Sequence, residues 1–401
     1  MKITPFRLDS ASQAQSCFAA LGVSSEGIKI LAPKAVLYVF KISDIRSWEA
    51  NIIKQEMLSL GGDAALNRAV LVKDCRTDIV IFGTLSQLKK LCAKLLHQPF
   101  DLGTIGCELL LLLDKKTNNL VWRVGGKKLI LKRPLVCGIL NITPDSFSND
   151  GLLKEKDWPE AALRRAQAMF KAGADMLDIG AESTRPFSKP IGAKEEIRRI
   201  IPVIKIIRRK FPKALISIDS YRHATCAACL DYGINIINDI SALTQDKKMA
   251  GLICKAKLGC VLMHMHGSPA DMQIKPHYDD VVEDITAYLE GRIGFCRQAG
   301  IDITQLAIDP GIGFGKSVKD NLRLIAQLDR LAILGRPLFV GLSRKSFVAK
   351  TLNIEENRLV GTLAATLMAV NRGAQIIRTH DVLETVQALT MMSAIKEEDE
   401  F

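Results

Sequence analysis

Two carboxylates, Asp219 and Asp309, each terminate a short apolar run, Leu215–Ile218 and Leu306–Ile308, without an adjacent cationic residue. A carboxylate so placed is partly shielded from water and can accept two N–H donors from a planar heterocycle, a strong bidentate contact. Helix N-capping is the competing reading, weaker for Asp309 because Pro310-Gly311 follows it as a turn. Asn238 offers a donor and an acceptor to such a ring, or a turn or cap. Arg378, Thr379 and His380 place a cation, a hydroxyl and an imidazole just before a helix expected from about Asp381. Helix N-termini attract anions, so a phosphate or pyrophosphate is favoured there over a surface Arg–Asp pair, and Arg185 can reach the same charge or a second anionic substrate. Lys345, flanked by Ser343, Arg344 and Ser346, is expected to point into the same region.

Other chemistries fit less well. Gly311, Gly313 and Gly315 let the backbone pass close to a ligand, but Pro310–Lys316 lacks both Walker spacing and the strand-turn-helix dinucleotide context. It reads as a flexible loop. His264 and His266 share a face if extended, yet no third metal ligand can be assigned. Cys226 and Cys229 form a CxxC with no second pair, which reads as two thiols on a helix. No nucleophile elbow is present and no cysteine lies in a cationic setting, so covalent catalysis is disfavoured. What remains is a site that grips a heterocycle, holds an anionic leaving group and positions a second substrate.

These residues need elements that bring them together. Eight short apolar runs, Leu135–Leu140, Met176–Ile179, Leu215–Ile218, Ile234–Ile237, Cys260–Met263, Leu306–Ile308, Leu338–Gly341 and Gln375–Ile377, alternate with amphipathic stretches such as Glu160–Lys171, Lys194–Lys210, His223–Tyr232 and Asp279–Ala299. The pattern predicts an α/β fold, a (β/α)8 TIM barrel, whose chemistry lies at the C-terminal strand ends. Asn141, Glu182 to Arg185, Asp219, Asn238, His264, Asp309, Ser343 to Lys345 and Arg378 all fall there. Residues 1–125 read as a separate small α/β domain, with strands at Ala35–Ile42, Ala69–Val72 and Ile79–Phe82 and helices at Trp48–Leu60 and Ser86–Leu96, and residues 126–401 as the barrel domain. Hydrophobic residues at 48% and charged residues at 24% of 401 suit folded domains. The net charge of +12 suits an anionic substrate, nucleic acid or simple solubility, and the 5% aromatic content argues against a base-stacking surface. Ten scattered cysteines point to the reducing cytoplasm, no apolar run approaches the ~20 residues of a membrane span, and the apolar late stretches Leu359–Val370 and Val386–Ile395 suit a homodimer contact.

In order along the chain, Gly138–Ser148 (GILNITPDSFS), Glu182–Pro186 (ESTRP), Ile218-Asp219, Ile236–Ile240 (IINDI), Leu262–Met265 (LMHM), Asp309–Gly311 (DPG), Gly341–Ser346 (GLSRKS) and Ile376–Asp381 (IIRTHD) resemble the successive motifs of dihydropteroate synthases, over about Pro134 to Ile395. The resemblance implies condensation of 6-hydroxymethyl-7,8-dihydropterin diphosphate with 4-aminobenzoate, giving 7,8-dihydropteroate and pyrophosphate in folate synthesis. By position, Asp219, Asn238, Asp309 and Lys345 would hold the pterin, and Thr184, Arg378 and His380 the diphosphate. Asn141 would help place Mg2+, while Thr184, Arg185, Pro186 and Ser343 would border the aminobenzoate. The N-terminal region is similar to the extension of longer family members. A corrinoid-type pterin methyltransferase is the nearest alternative, and Ser343–Ser346 with the Arg378/His380 pair argues against it. A binding protein on a dead barrel would have lost strand-end residues.

Two departures from the family pattern stand out. The first loop carries Asn149-Asp150 where Asp-Gly is usual, and Phe187 replaces a glycine beside Pro186. Phe187 is expected to crowd the aminobenzoate side, so sulfonamides, bulkier than that substrate, should inhibit this protein less than its Phe187→Gly variant. Equal inhibition constants for the two proteins would remove the idea.

Overall fold

The computed structural model describes residues 10–115, 120–143, 157–182, 190–267 and 276–398, with Ile3, Phe6 and Leu8 before them. The chain divides into two compact units, Met1–Asn118 with Ser393–Phe401, and Asn119–Met392.

In the first unit, helices α1 (Ala11–Ala20) and α2 (Ser25–Leu31) precede strand β1 (Leu37–Arg46). Helix α3 (Ser47–Ser59), strands β2 (Asp63–Leu66) and β3 (Arg76–Thr84), and helices α4 (Leu85–Leu95) and α5 (Leu102–Lys115) follow. The strands make an antiparallel sheet of order β1-β3-β2. Alternation along β3 turns Ile79 and Ile81 onto Ile53 and Met57 of α3 and Leu88, Leu91 and Leu95 of α4. Thr84 and Gln87 start α4 with reciprocal caps. The strand expected at Ala69–Val72 is instead a 3-10 turn, Arg68–Leu71, begun by Asn67, whose side chain accepts from the Ala69 N–H at 2.9 Å. Leu71 and Val72 are exposed, so these residues had no sheet face to fill, and the strand lies earlier, at β2.

The second unit opens with a hairpin, β4 (Val121–Val124) and β5 (Lys127–Ile130). The boundary read from the sequence, at residue 125, lies in its turn. Eight parallel strands then alternate with helices: β6 (Leu135–Asn141), β7 (Met176–Gly180), β8 (Leu215–Asp219), β9 (Ile236–Asp239), β10 (Gly259–Met263), β11 (Leu306–Asp309), β12 (Phe339–Gly341) and β13 (Ile376–Thr379). Their order is β11-β10-β9-β8-β7-β6-β13-β12. A bridge between Ile308 and Leu338, with Ile308 N–H donating to the Pro337 carbonyl at 2.9 Å, brings β11 to β12 and nearly closes the barrel. The helices are α6 (Trp158–Lys171), α7 (Ala193–Lys210), α8 (His223–Cys229), α9 (Met249–Ala256), α10 (Val281–Gln298), α11 (Val318–Ala326), α12 (Ser346–Leu352), α13 (Leu359–Asn371) and α14 (Val382–Glu398). In α7, buried Ile200, Val203, Ile204 and Ile207 recur at helical spacing, with Glu195 and Glu196 in the first turn and Arg208 to Lys210 in the last, as the helix dipole favours.

Strand alternation sorts the barrel into two apolar surfaces. Leu177, Ile179, Ile218, Ile237, Leu262 and Ile308 pack against the helices. Met176, Ile236, Val261, Ala307, Phe339 and Ile376 fill the lower interior, where they meet Trp122 and Val124 of the hairpin. Gly259 is bare because a Cβ there would lie 2.5 Å from Val124. The Trp122 indole N–H donates to the Gln305 carbonyl at 2.8 Å, so this fully buried ring closes the floor without an unmet polar group. Trp122→Ala is expected to destabilise the barrel by about 3–5 kcal/mol. Urea denaturation showing an unchanged midpoint would contradict the hairpin's role.

Candidate active site

Above the apolar floor, the inward positions become polar. Pairing sets Asn141, Gly180, Asp219 and Asn238 side by side across β6 to β9. One inward position lower lie Asp178 and its neighbour Ser217. Gly180 lets its neighbours approach closely: a Cβ there would stand 3.3 Å from Asp219 Cβ and 3.6 Å from Asn141 Oδ1.

Arg378 organises this row. Its Nε donates to Asp178 Oδ2 at 2.6 Å and its Nη2 to Asp219 Oδ2 at 2.7 Å, while Asn238 Nδ2 donates to the same Asp178 oxygen at 2.9 Å. Asp178 is fully buried, so its charge is tolerable only with such partners. Burial alone would lower the Arg378 pKa, but Asp178 and Asp219 hold it above its ordinary value. Burial raises the Asp219 carboxyl, against the pull of Arg378 and with help from the Asp178 charge. Among the described residues, Asp178 Oδ1 and Ser217 Oγ have no hydrogen-bond partner.

Across the mouth, Asp309 Oδ1 accepts from the Gly311 N–H at 2.7 Å. Lys345 donates to the Ile312 carbonyl and places its ammonium 4.8 Å from the centre of the Phe314 ring. Burial depresses Lys345 to about 8, with Asp309 opposing, and raises Asp309, with Lys345 opposing. The Gly-rich loop, expected to be flexible, is bonded along its length. Gly313 N–H donates to Asn321 Oδ1 at 2.6 Å, and the Tyr278 hydroxyl to the Gly315 carbonyl at 2.8 Å.

The loops after β12 and β13 meet at Ser343, whose Oγ accepts from the His380 N–H at 3.2 Å and contacts His380 Nδ1 at 3.2 Å. Burial and then Arg378 depress His380 to about 3, leaving it neutral at physiological pH. Asp381 of the second loop pairs with Arg344 of the first at 2.5 Å. Thr379 goes elsewhere. One position beyond inward-facing Arg378, it turns outward, is 2% exposed, and its hydroxyl accepts from the Asp381 N–H at 3.1 Å and from Thr385 Oγ1 at 3.2 Å. It holds the start of α14 rather than facing the mouth. Asp239 likewise faces away from the interior and binds Ser241 N–H at 2.7 Å and Leu243 N–H at 3.2 Å.

The structure therefore brings together Asn141, Asp219, Asn238, Asp309, Lys345 and Arg378, with Ser343 and His380 at the rim. Thr184, Arg185, Pro186 and Phe187, and Asn149 and Asp150, lie outside the described residues. Two participants escaped the sequence reading. Asp178 sits inside the run Met176–Ile179, where a charge among apolar residues was the available signal. Lys316 ends the Gly-rich loop, where the glycine spacing is the visible signal and a single lysine carries none. His264, weighed as a metal ligand, accepts from or contacts the Lys316 ammonium through Nδ1 at 3.0 Å, and among the described residues no cluster of three His, Cys, Asp or Glu side chains is placed to bind a metal.

The pterin-binding enzyme family matches residues 137–380. The chain belongs to this family. Its barrel is 40% identical over 270 residues to dihydropteroate synthase of Escherichia coli (strain K12), covering 67% of this chain and 94% of that protein. A probable bifunctional folylpolyglutamate synthase/dihydropteroate synthase of Haloferax volcanii is 34% identical over 372 residues, 88% of this chain, so this match extends into the N-terminal unit. The chain spans only 43% of that archaeal protein. Among solved structures, Xanthomonas albilineans dihydropteroate synthase with 4-aminobenzoic acid superposes with a TM-score of 0.63 and 42% identity, covering 69% of this chain and 98% of that one. The barrel of this pterin-binding enzyme is thus similar over its length to dihydropteroate synthases, and its N-terminal unit to a part of the archaeal bifunctional proteins.

The raised Asp219 carboxyl is directly measurable. Carboxyl NMR should show it titrating above the ordinary range near 3.9, and Asp178→Asn, which deletes a neighbouring negative charge, should move it to lower pH. A curve that does not move would mean that Asp178 does not act on Asp219.

Proposed function

We propose that this chain condenses 6-hydroxymethyl-7,8-dihydropterin diphosphate with 4-aminobenzoate, releasing pyrophosphate, and that the mouth organised by Arg378 carries the reaction. The observation that carries this reading is the convergence of Asp219, Asn238, Asp309 and Lys345 on one barrel mouth around a doubly paired arginine. Asp309 has one oxygen committed to Gly311, leaving the other to accept from the heterocycle. Asn238 has its amide nitrogen on Asp178, so its carbonyl oxygen is the complementary acceptor. Lys345 supplies a donor. Asp219, whose Oδ2 holds Arg378, places negative charge where the pterin methylene becomes electron-poor as the diphosphate leaves.

Arg378 retains N–H groups for the leaving diphosphate. His380, neutral, meets a phosphate oxygen by donating from Nε2, which requires Nδ1 to accept the Ser343 hydroxyl. Thr184 and Arg185 complete the anion and aminobenzoate contacts in this reading. The arylamine attacks through its own lone pair, so no strong base is required. Asn141 fits Mg2+ in one respect: its amide oxygen ends at the mouth beside Gly180 and Asp219, and Mg2+ commonly takes few protein ligands, with substrate phosphates and water supplying the rest. Bound there with the diphosphate, it would neutralise charge on the leaving group.

A homodimer is part of the proposal, supported by exposed Val360 and Met368 on α13 and Leu383 and Met391 on α14. So is a reducing cytoplasm, supported by ten free thiols. Among the described residues no helix is long and apolar enough to cross a membrane.

Pyrophosphate release by the purified protein with the pterin diphosphate, 4-aminobenzoate and Mg2+ should require both substrates and fall by about two orders of magnitude or more in Asp219→Asn. Well-folded wild-type protein that releases none would overturn the reading.

A further inference from the structure

Lys316 lies outside the set of residues given a role above, yet it is 4% exposed and its ammonium is fully committed. It donates to the Gly311 carbonyl at 2.9 Å and the Phe314 carbonyl at 2.9 Å, and it contacts His264 Nδ1 at 3.0 Å. Three converging acceptors match the three N–H groups of an ammonium. Burial holds His264 down, to about 3, so that its ring stays neutral and can accept.

The loop held by these bonds is the one on which both Asp309 and Lys345 depend. Gly311, at φ 66°, donates to Asp309 Oδ1 and is pressed so tightly onto β10 that a Cβ would stand 1.8 Å from the His264 carbonyl oxygen. The Lys345 side chain runs along Gly313, where a Cβ would lie 2.9 Å from Lys345 Cδ, and its ammonium donates to the Ile312 carbonyl. Lys316 and Lys345 therefore grip the same short segment from two sides. Only Lys345 is turned to the mouth.

We propose that Lys316 is a positioning residue for the heterocycle: it fixes the Gly311–Gly315 backbone in the form that presents Asp309 and Lys345 together, and its buried charge sustains the Asp309 carboxylate. This rests on the pterin reading of the mouth. The charge has local consequences. The groups facing Lys316 are Asp309 on β11, Lys345 after β12, His264 after β10 and Asp320 on α11. Burial brings Lys316 down to about 7, with Asp309 and Asp320 opposing and Lys345 adding to the fall. Its proton is fully held below that value and lost above it, so the cation beside Asp309 weakens as pH rises through neutrality. Deleting it removes the group that titrates first and leaves Lys345, at about 8, to set the alkaline limit.

The test uses the full-length protein and its Lys316→Met variant, with pterin diphosphate affinity measured by calorimetry and the KM for each substrate by pyrophosphate release. The variant is expected to lose about tenfold or more in pterin affinity at pH 7, as removal of a charged buried donor predicts. Its KM for 4-aminobenzoate at saturating pterin should change by less than about twofold, and its alkaline limb of pterin binding should lie at higher pH than in the wild type. His264→Leu, which removes one acceptor and keeps the lysine, should lose pterin affinity in the same direction by a smaller factor of about three. It serves should Lys316→Met fail to fold. Unchanged pterin affinity in the folded variants, or equal loss for both substrates, would overturn the inference and leave Lys316 a scaffold residue. Wild-type protein that binds no pterin diphosphate would instead sink the reading of the site itself.

Discussion

The mouth of this barrel depends on one constraint: charges taken out of water must find partners at hydrogen-bonding distance. Arg378 meets it for Asp178 and Asp219 together, and the Gly311 N–H meets it for Asp309, with the charges of Lys345 and Lys316 acting on that carboxylate from further off. Among the described residues these three carboxylates and three cations form a balanced set. A buried pair of this kind contributes little net stability, because desolvation offsets the attraction, whereas removing one member leaves a stranded charge. The arrangement therefore makes better sense as preorganisation. The groups already stand where a polar heterocycle needs donors and acceptors, and they need not be ordered when it arrives.

The rest of the barrel serves this placement. Strand alternation dictates that if Asp178 faces inward so do Met176 and Gly180, while Leu177 and Ile179 face the helices. The lower positions are apolar and sealed by Trp122, so the folding free energy is concentrated at one end of the strands and the polar groups at the other. The seal also bears on the electrostatics. An apolar floor keeps water from reaching these carboxylates from below, and burial of Asp219 is the first cause of its raised carboxyl. The same burial lowers Lys345, so the floor brings the acid and the ammonium toward each other on the pH scale.

Period and strand-end position made the eight strands legible, because these are apolar runs and several of them close on a polar residue. The observed strands extend the expected runs onto those residues, as at Asn141, Asp219, Asp309 and Thr379. Thr379 also shows the limit of that rule. Being at a strand end does not say which way a side chain turns, and the one-residue step from Arg378 sends it to cap α14. In the N-terminal unit the valine-rich run Ala69–Val72 looked like a strand, yet the Asn67 side chain bonds the backbone into a tight turn, a local competitor that periodicity does not weigh. Asp178 was hidden because its partners, Arg378 and Asn238, lie far along the chain, and only the folded register brings them to it.

A balanced mouth has a consequence for the diphosphate. Arg378 is already shared between two carboxylates, and His380 is neutral, so these described residues offer a leaving anion hydrogen-bond donors but little unopposed positive charge. An anion arriving here would raise the carboxylates further unless cations came with it. That requirement gives physical content to the roles proposed for Mg2+ at Asn141 and for Arg185, both of which would enter from outside the balanced set. It also separates two tasks that the sequence presented as one. Arg378 was read first as an anion contact, but its geometry makes it before that the residue that holds Asp178 and Asp219 in place. In the proposed reaction, binding of the neutral ring would thus be prepared by groups fixed within the barrel, whereas the leaving charge would call on Mg2+ and Arg185.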